Sequence, residues 1–540
     1  MKLLFVVGAA AALAQEPADL VIRNAKVFTA DAQRSLARTV VIRGERIAAV
    51  GGDDLAAKYR AAGTLDAGGR LVIPGFNDTH IHLRGNPPYY VELEDARSVQ
   101  EILERVSTMA DKLGPGQWIT GGNWSEDQLE EKRRPLRADL DKAAPENPVV
   151  LTRAGGHSSV GNSLALKIAG ITRATPDPER GVIEKDARGE PNGVVRERND
   201  LFLRHVPRPA RESLRPSLIA RLKWLLSLGI TSFILAGASP EDYAEWQAIY
   251  AQHGAELPRA TIQIYWPGVE GLKRFGRRTG DGDERIRVGA IKMLVDGGFT
   301  GPAAYTIAPY KGQGDYRGKL TMTPQELYER IRESHKAGWQ LGLHTIGDAA
   351  IQLTVDTFER VLQEFPRADH RHYLNHFSMT PPAETYEKIK QLGLWISQQP
   401  NFTYTLEGRY NDYLDPARAA VNNPVGTPWR KGIFMALSSD ILPIGPMVGL
   451  YAAVTRKGMS GAVYGPEERI PMEDALLGYT RNTAYFSREE KLKGTIEAGK
   501  LADLVVLEQD LLTIDPAKIL ETKVHATVLG GRIVYRSGKR

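Results

Sequence analysis

Eight short apolar segments recur between residues 76 and 439, and helical patterns separate most neighbouring pairs. They are Phe76–Leu83, Ile230–Leu235, Ala260–Tyr265, Ile286–Val295, Leu341–Ile346, Arg371–Phe377, Leu394–Gln399 and Ile433–Ser439, and each reads as a strand. Helical periodicity runs over Glu212–Leu228, Pro324–Ala337 and Ala349–Glu364. The second of these opens on Thr323-Pro324, an N-cap followed by proline at the first helical position. Eight strands alternating with helices predict an α/β fold built on a closed parallel (β/α)8 TIM-like barrel.

The spacing departs from that regularity once. The gap between the first and second strands is far too long for one helix, so residues from about 95 to 210 are expected to form an insertion. Its own strands are predicted around Gln117–Asn123 and Val149–Arg153. Insertions at the C-terminal face of a barrel usually build the substrate pocket. Both chain ends read as β structure. Asp19–Phe28 alternates, Arg38–Val50 reads as a hairpin turning at Gly44, and Ala502–Leu507 and Ala526–Tyr535 repeat the signature. A small β-sandwich domain is therefore expected from residues 16–74 together with 488–540, around a barrel over 75–487. Before it, Met1-Lys2, the apolar run Leu3–Leu13 and the small residues Ala12 and Ala14 make a secretory signal peptide over residues 1–14. That predicts a secreted protein, periplasmic if the source is a Gram-negative bacterium.

Composition narrows the chemistry. The 540 residues contain no cysteine, which removes disulfides, thiolate metal sites and cysteine nucleophiles together. The net charge is +5, but 70 basic residues are interleaved with 65 acidic ones and form no basic block. No nucleic-acid partner is expected. No apolar run reaches the roughly 18 residues of a spanning helix, so no membrane partner is expected either. A homodimer is the default expectation among oligomers.

Four of the eleven histidines fall where strands end. His80 and His82 are two apart, so on a strand they point the same way. His344 ends Leu341-Gly-Leu-His, His376 ends Tyr373-Leu-Asn-His, and Asp440 follows the eighth strand. Lys292 sits in the apolar run Val288–Val295. Singly, each has an ordinary reading: a hydrogen-bonded core histidine, a capping aspartate, a lysine that snorkels to solvent. Jointly, imidazoles and a carboxylate at separate strand ends suit a divalent ion such as Zn²⁺, and would also accept Mn²⁺, Co²⁺ or Fe²⁺. His205, His253, His335, His370, His372 and His525 fall in helical, loop or terminal contexts and read as structural or solvated. Arg153 and Arg196 read as ion-paired surface residues sooner than as anchors for a substrate carboxylate. Trp124, Phe299, Tyr305 and Tyr310 are expected near the barrel mouth, as pocket wall or as packing.

Pro74-Gly-Phe-Asn-Asp-Thr-His-Ile-His resembles the first-strand signature of the amidohydrolase superfamily, and the order His-x-His, Lys, His, His, Asp is similar to it as well. Gly156-His-Ser-Ser-Val-Gly-Asn-Ser-Leu-Ala-Leu, Thr175-Pro-Asp-Pro, Gly193-Val-Val-Arg-Glu, Ile291-Lys-Met-Leu-Val-Asp-Gly-Gly and His344-Thr-Ile-Gly-Asp-Ala-Ala resemble its YtcJ-like (amidohydrolase 3) branch, related to the N-substituted formamide deformylases. The resemblance runs from about residue 18 to the C-terminus. It implies that His80 and His82 bind the more buried of one or two metal ions, that His344 and His376 bind the outer one, and that Lys292 is carbamylated and bridges them. Asp440 would bind metal and act as general base. A charged ammonium beside cations is implausible, whereas a carbamate is an anionic oxygen ligand. Gly298 and Ser438 depart from the residues common at those positions and are expected to reshape the pocket.

The implied activity is hydrolysis of a non-peptide amide C–N bond in a small molecule by a metal-activated water. His157, in the insertion, is a candidate donor to the carbonyl or oxyanion, or else an anchor of the Gly155-Gly156 turn. The same site chemistry would serve ester, lactone or cyclic-imide hydrolysis or ring deamination, and a non-catalytic exported binding protein is the remaining alternative.

Overall fold

In the computed structural model, residues 15–538 are described apart from 127–128, 155, 157, 179–180 and 300–301. The signal segment 1–14 and His157 thus lie outside the described residues. The chain divides into two compact units, one running to Leu83 and resuming at Arg221, the other Arg84–Ala220.

The first unit holds eight parallel strands: β1 (Phe76–Ile81), β2 (Ile230–Ala238), β3 (Arg259–Tyr265), β4 (Ile286–Leu294), β5 (Leu341–Thr345), β6 (Tyr373–His376), β7 (Trp395–Gln398) and β8 (Met435–Leu437). Each pairs with its predecessor in chain order. The ring nearly closes between β8 and β1 through the Ile81–Asp440 bridge, where the Asp440 N–H donates to the His80 carbonyl at 2.8 Å. The helices follow the expected signals. Thr323 caps Pro324–Lys336 by accepting from the Glu326 N–H, and Glu326 reaches back to the Thr323 N–H. The eighth strand is shorter than predicted at both ends, and at its C-terminal end the Ser439 N–H leaves the ladder for the Asp78 carboxylate. The sixth starts later because Arg371 takes a positive φ of 52°.

Two further sheets belong to this unit. Glu16–Arg23, Thr39–Arg43, Arg46–Gly51 and Tyr59–Asp66 form a four-stranded sheet, with the hairpin turning at Gly44, φ 58°. A six-stranded sheet draws on both chain ends: Leu504–Leu507 pairs antiparallel with Leu71–Pro74 on one side and Val524–Leu529 on the other. Leu20, Ile22, Val40, Val72, Val506 and Val528 share one buried cluster across the two sheets. Arg259, at the start of β3, is tied to this layer by a buried ion pair with Asp503, Nε to Oδ2 at 2.6 Å.

The second unit is a six-stranded mixed sheet in the order Val182–Lys185, Pro191–Arg196, Ser158–Gly161, Val149–Arg153, Ile119–Trp124 and Tyr90–Glu92. Tyr90–Glu92 extends it ahead of the boundary expected from spacing alone. Trp124 is buried in its core beside Leu129, Val149 and Leu151, so it is packing. Arg153 pairs with Glu126 at 2.7 Å and Arg196 with Glu184 at 3.3 Å. Among the described residues, no helix is long and apolar enough to cross a membrane.

Three histidines lock the N-terminal ends of β5 and β6. The Leu341 N–H donates to His372 Nδ1 at 3.0 Å, so His372 Nε2 carries the proton and donates to His335 Nδ1 at 2.9 Å. His335 Nε2 donates to the Phe365 carbonyl, and His370 Nε2 donates to the Leu392 carbonyl while its Nδ1 accepts from the His372 N–H. All three are therefore neutral, and burial holds each below the usual imidazole range. A folded-state pKa below the unfolded value of about 6.5 means that the unfolded chain binds protons first on acidification. The stabilisation is full above about pH 6.5 and falls below it, by up to about 1.4 kcal/mol per pH unit per histidine. The melting temperature is expected to hold level down to about pH 6.5 and to drop increasingly steeply below it; a profile flat to about pH 5 would contradict this arrangement.

Candidate metal centre

At the opposite end of the strands, the structure brings the six predicted residues together. His80 lies near the end of β1 and His82 directly follows it, with ring centroids 5.3 Å from each other. His376, closing β6, lies 4.6 Å from the His80 ring and 4.4 Å from that of His344 on β5. Lys292 on β4 points inward, its Nζ 3.5 Å from His80 Nε2. Asp440, beyond β8, approaches His82 Nε2 at 3.6 Å and His376 Nδ1 at 3.7 Å. His376 and Asp440 both occupy the left-handed region, φ 75° and 59°. Non-glycine residues are seldom held there unless the surroundings enforce it, which concentrates backbone strain at this spot.

A second layer orients the rings. His80 Nδ1 donates to Asn375 Oδ1 and His376 Nδ1 to Gln399 Oε1, each at 2.8 Å, which leaves both Nε2 atoms as lone-pair donors. Gln399 is itself held by Ser438 Oγ at 2.7 Å. Ser438 is buried and supports the centre from behind, whereas Gly298 lines the cavity; of the two expected to reshape the pocket, only Gly298 faces it. Asp78 accepts from the backbone of His80 and Ser439, and Asp296 accepts from the N–H groups of Tyr305, Ile346 and Gly347. Burial pushes both carboxyls up to about 7. Spacing alone had not singled out Asp78, Asp296, Asn375 or Gln399. The one available signal was Asp78, which shares a strand face with His80 and His82.

Burial also sets the charge of the centre. It drives His80 and His376 far below the normal imidazole range and His344 to about 3, so the rings are neutral. It lowers the Lys292 ammonium and raises the Asp440 carboxyl, and the attraction between the two opposes both shifts. One nitrogen or oxygen from each of His80, His376 and Asp440 lies within 4.8 Å of the others. His344 Nε2 and Asp440 Oδ1 are buried without a hydrogen-bond partner. His344 Nε2 lies 3.7 Å from Asp296 Oδ1, at the side of this cluster. Two neutral imidazoles and a carboxylate converging on one point, with a third neutral imidazole beside them, fit a divalent cation. The cavity over this centre measures about 240 Å³. Phe299 forms part of its wall and Tyr310 packs behind Phe299, centroids 6.1 Å apart, while Tyr305 is not among the lining residues.

A family model described as "Amidohydrolase family" matches residues 63–535. The chain belongs to the amidohydrolase family. Among its relatives are "Putative amidohydrolase YtcJ" of Bacillus subtilis (strain 168), 30% identical over 87% of this chain and 90% of that one, and "N-substituted formamide deformylase" of Arthrobacter pascens, 29% identical over 96% and 98%. An uncharacterized metal-dependent hydrolase from Pyrococcus furiosus superposes with a TM-score of 0.70 at 25% identity, covering 92% of this chain and all of that one. Its counterpart from Pyrococcus horikoshii gives 0.71 at 22% identity, over 92% and 99%. This amidohydrolase thus has the barrel of metal-dependent hydrolases and a His/His/Asp cluster suited to an ion at the C-terminal ends of its strands.

Proposed function

We propose that this amidohydrolase cleaves a non-peptide amide C–N bond of a small molecule, with His80, His82, His344, His376, Asp440 and a carbamylated Lys292 holding one or two divalent ions, Zn²⁺ first among them. The observation that carries the reading is the convergence of the neutral His80 and His376 imidazoles and the Asp440 carboxyl on one point of a family barrel. The deformylase relative supports C–N hydrolysis over the other reactions open to such a site.

When bound, such an ion supplies Lewis acidity, which polarises a carbonyl and acidifies water. The chain's own groups supply the rest. Burial keeps the Lys292 amine toward its neutral form, the form that adds to CO₂ with loss of a proton to give an anionic carbamate. Asn375 and Gln399 fix the tautomers of His80 and His376 so that their lone pairs face the centre. Asp440, held at the rim by its own N–H, takes the proton of the attacking water and returns it to the leaving nitrogen. Export by the N-terminal signal to the periplasm or medium completes the proposal, and the N-terminus of the mature protein tests it.

Elemental analysis of the purified full chain is expected to find close to two equivalents of metal. Intact mass taken under CO₂ is expected to exceed the mature sequence mass by one CO₂ on Lys292. A protein that stays metal-free after loading with Zn²⁺ or Mn²⁺ would defeat the reading.

A further inference from the structure

The cavity wall differs sharply from its floor. The polar groups sit at the centre, and around them stand Tyr265, Leu294, Phe299, Phe402, Tyr410 and Ile441. Among the described residues that line the cavity, Lys292 is the only lysine or arginine, and it belongs to the centre. Tyr265, Leu294 and Ile441 are 39%, 42% and 41% exposed, which is unusual for large apolar side chains gathered on one opening.

The wall is built rather than left loose. Phe299 stacks on Tyr410 with centroids 4.6 Å apart and planes 28° from parallel. Tyr410 hydrogen-bonds Asn423, and the fully buried Arg456 guanidinium ties Thr403 to the carbonyls of Asn422, Asn423 and Tyr464. Tyr265 lies flat against bare backbone: a Cβ on Gly237, φ 145°, would sit 2.4 Å from its ring. Rigid aromatic and branched walls of this kind reward a flat apolar group at little entropic cost. Away from the centre they offer a carboxylate only neutral hydroxyls such as those of Tyr265 and Ser378, which offset little of the hydration it would lose.

From this wall we infer that the site selects electrically neutral amides bearing an apolar, ring-sized group, and rejects amides with a carboxylate beside the scissile bond. The inference rests on the amide-hydrolase reading above and names its substrate class. Leu294, Tyr265 and Ile441 set the preference for charge, and the Phe299–Tyr410 stack receives the ring.

The test uses the metal-loaded full-length enzyme and three compounds: N-acetylphenethylamine, N-acetylphenylalanine, which adds one carboxylate, and N-methylacetamide, which lacks the ring. The neutral aryl amide is expected to exceed the carboxylate analogue in kcat/KM by at least about 30-fold, the cost of burying an unpaired charge. It should exceed N-methylacetamide by at least about 10-fold. Leu294→Arg, which brings a guanidinium to the wall, should narrow or invert the first ratio. Equal or better turnover of the carboxylate analogue, or of the ringless amide, overturns the inference while leaving the hydrolase reading intact. If none is hydrolysed, the amide reading fails, and calorimetric titration of the same compounds decides the inference. Tighter binding of the neutral aryl amide supports it, and tighter binding of the carboxylate analogue or the ringless amide overturns it.

Discussion

Asp440→Asn is expected to lower kcat by about 10²–10⁴-fold, the range that a lost general base commands, with the fold unchanged. The substitution is close to isosteric. The Asp440 N–H to the His80 carbonyl at 2.8 Å is a backbone contact and survives. Asparagine also tolerates the left-handed backbone, here φ 59°, as readily as aspartate does. What changes is chemistry: a carboxamide carries no charge and accepts no proton at working pH. Asp440 Oδ1, now an orphaned buried acceptor facing His82, becomes an amide atom that is a poor cation ligand. The loss should appear in kcat and kcat/KM together, as for an interaction made in the transition state. Asp440→Glu, which keeps the charge and displaces it, should retain more activity than Asp440→Asn. A full-rate Asn variant would remove Asp440 from the reaction.

Much of this centre could be read before the fold was known, because strand periodicity and strand ends are local properties. His80 and His82 share a face by their spacing of two, and His344, His376 and Asp440 terminate recognisable apolar runs. The same logic separated His376, at the C-terminal end of its strand, from His372, which precedes that strand and belongs to the structural lock at the other end. The supporting residues escaped because their partners depend on register around the barrel. Asn375 is the chain neighbour of His376, yet it serves His80 across the ring, and Gln399, just past β7, serves His376. Successive residues of a strand face opposite ways, so adjacency in sequence misdirects here. The strained backbone of His376 and Asp440 was equally hidden, since neither residue is a glycine and neither sits in a turn motif. Of the aromatics placed near the mouth, Phe299 reached the cavity and Trp124 became core, a distinction that only packing decides.

Lys292→Ala is expected to cost the protein most of its metal, with affinity falling by at least about 100-fold, beyond what losing a supporting contact costs. Lys292 is buried on β4, within a Val288–Leu294 stretch otherwise made of apolar residues and glycine, and Asp440 favours its charged form. A permanent ammonium there would repel any cation drawn by His80, whose Nε2 lies 3.5 Å away. The proposed carbamate would reverse the sign of the residue, from ammonium cation to oxygen anion. Alanine removes both the amine and the carbamate and leaves an opening beside the neutral imidazoles of His80, His344 and His376, which alone cannot balance two divalent charges. Lys292→Met separates the two losses: it fills the space without the nitrogen, so it should restore thermal stability relative to Lys292→Ala but not metal content. A short carboxylate such as acetate, small enough to enter the opening, should return part of the metal to Lys292→Ala and none to Lys292→Met, because an anionic oxygen ligand is what the site lost. Wild-type metal content and affinity in both variants would show that four histidines and Asp440 suffice, and would reduce Lys292 to a buried lysine kept neutral by its surroundings.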